Sequence, residues 1–156
     1  MKIKHLLAFI ALGAMLTSCK EDMKYEPPAP VPQKNDSTFV LVIQGDTFTA
    51  TMSDNRSAEA FAELMPLTLT MKDLNANEKY HYLDEQLPTA PVAVRTVKTG
   101  DIMLYGTSCI VLFYKDVTTP YEYTKLGHIT NTAHLTEAVG AGDVDVAFEV
   151  KVKEEN

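Results

Sequence analysis

The chain has few of the residues on which several protein classes depend: only two cysteines, two arginines and no long apolar run among its 156 residues. Its longest apolar stretch, from Leu6 to Leu16, has about eleven residues, whereas a membrane-spanning helix needs about twenty. Lysine and arginine form no cluster, which argues against a nucleic-acid partner because phosphate binding needs a basic face. Two cysteines allow at most one disulfide, so a hydrophobic core must hold the fold.

The N-terminus is nonetheless typical of an export signal. Lys2 and Lys4 precede the apolar stretch, which leads through small residues to Cys19. The sequence Leu16-Thr17-Ser18-Cys19 resembles the lipobox of bacterial lipoproteins, whose cysteine is acylated with palmitate-type chains. We therefore expect residues 1–18 to be a removable signal peptide and Cys19 to carry the lipid that binds the membrane. An ordinary secretory signal with a chance cysteine is the alternative.

Residues 19–36 form the next segment, in which the lipidated cysteine is followed by a proline-rich tether. Four prolines lie between Pro27 and Pro32, and they favour extended polyproline II because proline donates no backbone hydrogen bond. A docking ligand for a partner is the alternative interpretation. The acidic sequence Lys20-Glu21-Asp22 resembles the export signal of Bacteroidetes lipoproteins. We therefore expect an outer-membrane lipoprotein that either faces the periplasm or is exposed on the cell surface.

The rest of the chain predicts one domain over residues 37–152 and a charged tail over 153–156. The whole chain has a formal net charge of -7, and the signal peptide contains two lysines and no acidic residue, so the remainder carries -9. This acidic balance is a second argument against a nucleic-acid partner.

Eight segments of the domain have the pattern of β-strands. Apolar and polar residues alternate with a period of two in several of them, for example from Asp143 to Val152. Eight strands separated by turn signals favour a closed barrel, so the predicted fold class is mainly β. The predicted strands cover residues 38–43, 46–52, 67–71, 79–83, 101–105, 109–115, 125–130 and 143–152.

Two short helices interrupt the predicted strands. The first can be capped by Asp54 or Asn55 and ends at Pro66. Its largest apolar residue on the periodic face is Phe61, which we expect to be buried against the barrel. The second covers Thr132 to Val139 and stops at a glycine-rich turn.

Several motifs occur in a characteristic order along the domain. They include Ser57-Ala58-Glu59-Ala60-Phe61 on the first helix, Gly100-Asp101-Ile102-Met103-Leu104-Tyr105-Gly106, Leu112-Phe113-Tyr114-Lys115 and the terminal Gly142-Asp143-Val144. Together they resemble the bacterial cyclophilin-like domain family over about residues 38–150. The resemblance implies a closed eight-stranded cyclophilin-like β-barrel with two short helices.

The resemblance does not decide whether the chain is an enzyme, but the residues present argue against prolyl isomerase activity. Classical cyclophilins isomerise prolyl bonds with a phenylalanine-histidine-arginine segment on the strand after the first helix. The corresponding strand, Leu67 to Leu74, has no arginine, and the arginines of this chain are Arg56 and Arg95. A donor beside the twisting amide is central to lowering a rotation barrier of about 18–20 kcal/mol.

Other residues predict no catalytic group, metal site or cofactor. The spacing of His81, His128 and His134 matches no zinc pattern. Cys109 opens a continuous apolar run that ends at Tyr114, where a free cysteine behaves as a small buried hydrophobe. A nucleophilic cysteine would need an electropositive and partly exposed setting, so the catalytic interpretation is the weaker one.

Aromatic residues give one candidate site, for a peptide or small-molecule ligand. A tyrosine ring combines a rigid apolar face with a polar tip, which suits a cleft on the side of a barrel. We expect the hydroxyls of Tyr121 and Tyr123 to reach solvent while their rings line a concave surface. Core packing is the alternative for each ring. The candidate residues are Tyr80, Tyr82, Tyr114, Tyr121 and Tyr123.

These patterns leave two main functions. The first is a non-enzymatic binding module of the cell envelope, held on an acylated tether and binding a peptide, a glycan or a small molecule. The second is a divergent prolyl isomerase that assists the folding of exported proteins. A structural envelope component is a third alternative.

Overall fold

A computed structural model of the protein describes residues 38–151. The predicted signal peptide (1–18), Cys19, the tether that follows it to residue 36 and the tail (153–156) lie outside the described residues. Within residues 38–151, neither helix has the length and apolar character that a membrane span requires.

The described part of the chain forms eleven β-strands and two α-helices. The longer strands are β1 (Thr38–Ile43), β2 (Asp46–Met52), β3 (Leu67–Leu74), β4 (Glu78–Tyr82), β7 (Asp101–Tyr105), β8 (Cys109–Phe113), β10 (Glu122–Ile129) and β11 (Val144–Val150). The two-residue strands are β5 (Val92–Ala93), β6 (Thr96–Val97) and β9 (Val117–Thr118). The helices are α1 (Arg56–Glu63) and α2 (Leu135–Val139).

The eight longer strands close into an antiparallel barrel. Neighbouring strands follow the order β2-β1-β11-β3-β4-β8-β7-β10, and β10 returns to pair with β2. Closure pairs both edges of each of these eight strands, which removes the exposed edges that promote aggregation. The predicted fold class, a mainly β closed eight-stranded barrel with two short helices, is confirmed.

The barrel closes at Gly127, where β10 pairs with β7 on one edge and with β2 on the other. A shift of register occurs between Lys125 and Gly127 in the pairing of β10 with β7. At the same position Gly127 pairs with Met52 of β2. A side-chain carbon at Gly127 would come within 2.7 Å of the Thr51 carbonyl oxygen. Glycine is therefore needed here because the two backbones approach closely.

The predicted elements all exist, with differences at their ends. β3 continues to Leu74 and β10 begins at Glu122, three residues beyond each predicted boundary. The second helix is shorter than predicted, since it begins at Leu135 and not at Thr132. β5, β6 and β9 were not predicted, because a strand of two residues has no period that a sequence pattern could reveal.

Helix α1 packs against the barrel through the face predicted for it. Asn55 is the N-cap, and its side-chain oxygen accepts a hydrogen bond of 2.9 Å from the Ala58 backbone N–H. Phe61 is fully buried, as predicted, and its ring lies edge-on against Phe148 of β11 at a centroid distance of 5.2 Å. The helix ends at Glu63, before Pro66.

One end of the barrel is held by a buried lysine that the sequence analysis did not single out. Lys79 is 0% exposed, and its Nζ donates hydrogen bonds to the Asp73 carboxylate and to the carbonyls of Gly140 and Gly142 at 2.6–2.9 Å. The ion pair and the two carbonyls replace the water that the ammonium loses on burial. Lys79 therefore ties β4 to β3 and to the turn before β11.

The wall of the barrel has two halves with different outer surfaces. The first half consists of β2, β1, β11 and β3, and the outward residues of β2 and β3 are mostly threonines. The second half consists of β4, β8, β7 and β10. On its outer side lies a second hydrophobic cluster, which we call the outer cluster: Val97, Met103, Cys109, Val111, Phe113 and Tyr123. β7 and β8 therefore carry apolar residues on both faces.

Candidate functional site

A concave surface of about 290 Å³ lies against the outer cluster, and we call it the tyrosine groove. Five of the seven tyrosines of the chain line it: Tyr80, Tyr82, Tyr105, Tyr121 and Tyr123. The remaining lining residues are Leu74, Glu78, Cys109 and Val111. Because residues of one strand alternate between its two faces, Glu78, Tyr80 and Tyr82 of β4 point to the same side.

The tyrosine rings contact one another in two groups. Tyr80 and Tyr82 meet edge to face at a centroid distance of 5.9 Å. Tyr105 lies 5.8 Å from Tyr121 and 5.7 Å from Tyr123. Such contacts restrict the rings and hold the apolar surface of the groove in one arrangement.

Four of the five predicted ligand-binding tyrosines are brought together in this groove: Tyr80, Tyr82, Tyr121 and Tyr123. The fifth, Tyr114, does not line the groove, which corrects the prediction for this residue. Tyr114 is 4% exposed in the interior core, and its hydroxyl donates a hydrogen bond of 2.7 Å to Asp73. It lies on the opposite face from Cys109, Val111 and Phe113, because the odd-numbered residues of this run belong to the outer cluster.

The two tyrosines that flank the Pro120 loop differ from each other. Tyr121 is 57% exposed, as expected for a ring whose hydroxyl reaches solvent. Tyr123 departs from the same expectation, because it is only 5% exposed and its ring packs edge-on against Phe113 at 5.6 Å. Burial raises the pKa of Tyr123. Tyr123 therefore contributes to the base of the groove, whereas Tyr121 forms part of its rim.

Tyr105 and Glu78 also line the groove, although neither is among the predicted site residues. Tyr105 ends β7 on the same side as Met103, so the alternation of that strand is the signal that would have identified it. Glu78 was passed over because the predicted strand began one residue later, at Lys79. Because β4 begins at Glu78, the alternation along the strand places the Glu78 carboxylate on the same face as the rings of Tyr80 and Tyr82.

Glu78 is the charged residue of the groove. Burial raises the pKa of its carboxyl group. Among residues 38–151 the Glu78 carboxylate forms no ion pair. Its charge also helps to raise the pKa of the Cys109 thiol and of Tyr123. The groove therefore combines an unneutralised negative charge with an aromatic wall.

Cys109 lines the groove as an unreactive thiol. It is 3% exposed, and burial raises the pKa of the thiol to about 11, with the Tyr82 hydroxyl acting in the opposite direction. A thiol with this pKa is almost entirely protonated at neutral pH and is a poor nucleophile. The side chain thus behaves as the small buried hydrophobe that the apolar run predicts.

The three histidines of residues 38–151 lie outside the groove, and each contacts one oxygen atom. His81 contacts the Thr70 carbonyl, His128 contacts Asp101 and His134 contacts Glu137, all through Nδ1 at 2.8–2.9 Å. Across residues 38–151, no group of three or more metal-binding side chains is close enough to hold an ion.

A model of a protein family described as the cyclophilin-like family matches residues 41–149, more than half of the chain. The match covers the barrel from β1 to β11 and includes every residue that lines the groove. No protein with a curated description matches the sequence.

Proposed function

This chain belongs to the cyclophilin-like family, and from that premise we propose that it is a membrane-anchored lipoprotein whose barrel is a non-enzymatic binding module of the bacterial cell envelope. The observation that carries the proposal is the tyrosine groove. Its ligand is a peptide or a small molecule that lies against the tyrosine rings.

The exposure of the aromatic rings supports a binding role. The chain leaves six large hydrophobic residues exposed among those described, and four of them line the groove: Leu74, Tyr82, Tyr105 and Tyr121. Single exposed apolar residues are ordinary on protein surfaces, whereas a contiguous group is typical of a binding site.

The composition of the groove favours binding over prolyl isomerisation. The residues that line it are tyrosines, apolar residues and one glutamate, without a lysine or an arginine among them. Arg56 lies exposed on α1, and Arg95 lies exposed between β5 and β6. Classical cyclophilins place the cationic side chain of an arginine beside the twisting amide, and no residue that lines this groove supplies such a cation.

The binding function can be tested with the chain from residue 19 onward, carrying Cys19→Ser so that no lipid is required. A panel of small molecules and peptides would be screened by tyrosine fluorescence and by amide chemical shifts. We expect binding to perturb residues of the groove. A proline-containing peptide assay on the same protein should give an isomerisation rate close to the uncatalysed one, and a rate well above it would favour the isomerase alternative.

The anchoring part of the proposal rests on Cys19 and the lipobox that precedes it. Two or more acyl chains hold a protein stably on a bilayer, because each buried methylene contributes about 0.8 kcal/mol. In cells that express the full chain and are fed labelled palmitate, Cys19→Ser should abolish labelling and membrane fractionation. Cys109→Ser is the matched control, since it removes the other cysteine and should leave both unchanged. Protease treatment of intact cells would then decide whether the protein faces the periplasm or the cell surface.

A further inference from the structure

The Glu78 carboxylate limits what the tyrosine groove can accept. Any ligand that fills the groove displaces water from this carboxylate, whose pKa is already raised by burial. Removing a charge from water is costly unless the incoming group carries a compensating charge or donates hydrogen bonds. A neutral apolar ligand would add to that cost, and an anion would add repulsion.

The surrounding rings favour the same kind of ligand as the carboxylate. The face of an aromatic ring is electronegative, so a cation within about 6 Å of a ring centre is attracted, more strongly where water is excluded. Tyr80 and Tyr82 share the Glu78 side of β4, and Tyr105 and Tyr121 bring further rings to the groove. The groove therefore brings several electronegative ring systems and a carboxylate that forms no ion pair among residues 38–151 to one surface.

We propose that the tyrosine groove binds an organic ammonium group, whose charge meets the Glu78 carboxylate and whose alkyl surface lies against the tyrosine rings. A metal ion fits less well, because one carboxylate among phenol rings offers too few oxygen ligands. The volume of about 290 Å³ lies at the small end of ligand pockets, which suits a small amine or the tip of one lysine side chain. This assignment rests on the proposed binding function and specifies its ligand chemistry.

The test uses tetramethylammonium and tert-butanol as probes of similar shape, one charged and one neutral. Both would be titrated into the chain from residue 19 onward with Cys19→Ser, at constant ionic strength, and followed by amide chemical shifts. We expect tetramethylammonium to bind at least about tenfold more tightly than tert-butanol, the factor that a cation–ring attraction with a charge partner supports. Equal affinity for the two probes would overturn the assignment.

Single substitutions distinguish the contribution of the Glu78 charge to binding from the contribution of the tyrosine rings. Glu78→Gln keeps the shape of the side chain and should weaken tetramethylammonium binding about tenfold while leaving tert-butanol unaffected. Glu149→Gln is the matched control, because it removes an exposed carboxylate from β11, in the first half of the wall. At the rim, Tyr121→Leu should weaken binding, whereas Tyr121→Phe should retain it because the ring face remains. An unchanged affinity in Glu78→Gln would contradict the proposal.

Two further ligands show whether the ammonium group belongs to a small molecule or to a protein side chain. Choline represents a free small molecule, and a terminally blocked peptide with one trimethylated lysine represents a modified side chain. Stronger binding of the peptide would assign the groove to protein ligands, and stronger binding of choline to small molecules. If neither cation binds but neutral peptides perturb the groove, the ammonium assignment fails and the binding function survives. If nothing perturbs the groove, both fail.

Discussion

The two halves of the barrel wall differ in what their outer surfaces carry. In the first half, alternate residues point into the core, and the outward residues of β2 and β3 are mostly threonines. In the second half, β8 is buried on both faces, with Ile110 and Leu112 in the core and Val111 in the outer cluster. The extra apolar surface of the second half ends in the tyrosine groove.

This difference explains the continuous apolar run from Cys109 to Tyr114. A strand that faces a core on one side and water on the other alternates, whereas a strand covered on both sides does not. The run therefore signals that something packs on the outside of the barrel. Here the covering residues include Val97 of β6 and Tyr123 of β10, which leave part of the surface open.

The largest expected effect comes from the core that both halves share. Phe61→Ala should destabilise the protein by about 3–5 kcal/mol, because Phe61 is fully buried and its loss leaves a cavity beside Phe148. Chemical denaturation would measure the change. Val150→Ala is a suitable control, since Val150 is 52% exposed. A loss below about 1 kcal/mol would mean that α1 does not seal the barrel as described.

The next largest loss of stability is expected at the junction of the two halves, where β3 pairs with β4. Lys79→Met should cost about 2–3 kcal/mol, somewhat less than breaking a fully buried ion pair, because the Asp73 side chain is 24% exposed and can regain water. The double variant Lys79→Met with Asp73→Asn should recover part of the loss. If the single variant is as stable as the original chain, the lysine does not tie the barrel end.

A smaller effect is expected at the rim of the groove. Tyr121→Ala should change the free energy of unfolding by no more than about 0.5 kcal/mol, because the side chain is mostly exposed and touches little beyond Tyr105. The same denaturation experiment would measure it. A loss comparable to that of Phe61→Ala would indicate that the ring is structural, which would remove the contrast between the core and the groove.

The smallest expected change is a gain in stability, in the variant Glu78→Gln. The pKa of Glu78 is raised above its usual value by burial, so the folded state holds the proton more tightly than the unfolded state. Stability is therefore lost as pH rises through the pKa values of the two states. Glu78→Gln should be slightly more stable than the original chain at neutral pH, and the difference should vanish below the usual carboxyl pKa. A destabilised Gln variant at neutral pH would mean that the carboxylate has a partner in the fold.

The sequence was informative where one period applied over a whole element. The alternation of β3 and β11 and the helical spacing of Phe61 predicted the barrel, its two helices and their buried residues. Four of the groove tyrosines were also identified. Tyr114 was misplaced because proximity in sequence to Phe113 does not decide which face a residue takes.

The remaining parts depend on contacts between distant segments. Glu78 becomes a groove residue because β4 begins one residue earlier than its pattern suggests, and its burial depends on rings from other strands. Lys79 is buried because the carbonyls of Gly140 and Gly142 lie within reach of its side chain. No local pattern contains that information, since the partners are more than 60 residues away.

The central claim is that the outer face of the second half binds a ligand, and isotope-labelled tyrosine rings test it most directly. Five of the seven rings line the groove, and Tyr114 in the core is an internal control. On titration with tetramethylammonium, we expect the ring signals of Tyr80, Tyr82, Tyr105, Tyr121 and Tyr123 to shift with one common affinity, while Tyr114 remains unchanged. Shifts of Tyr114 as large as those of the groove rings, or no shift in any of them with this or any other ligand, would contradict the account.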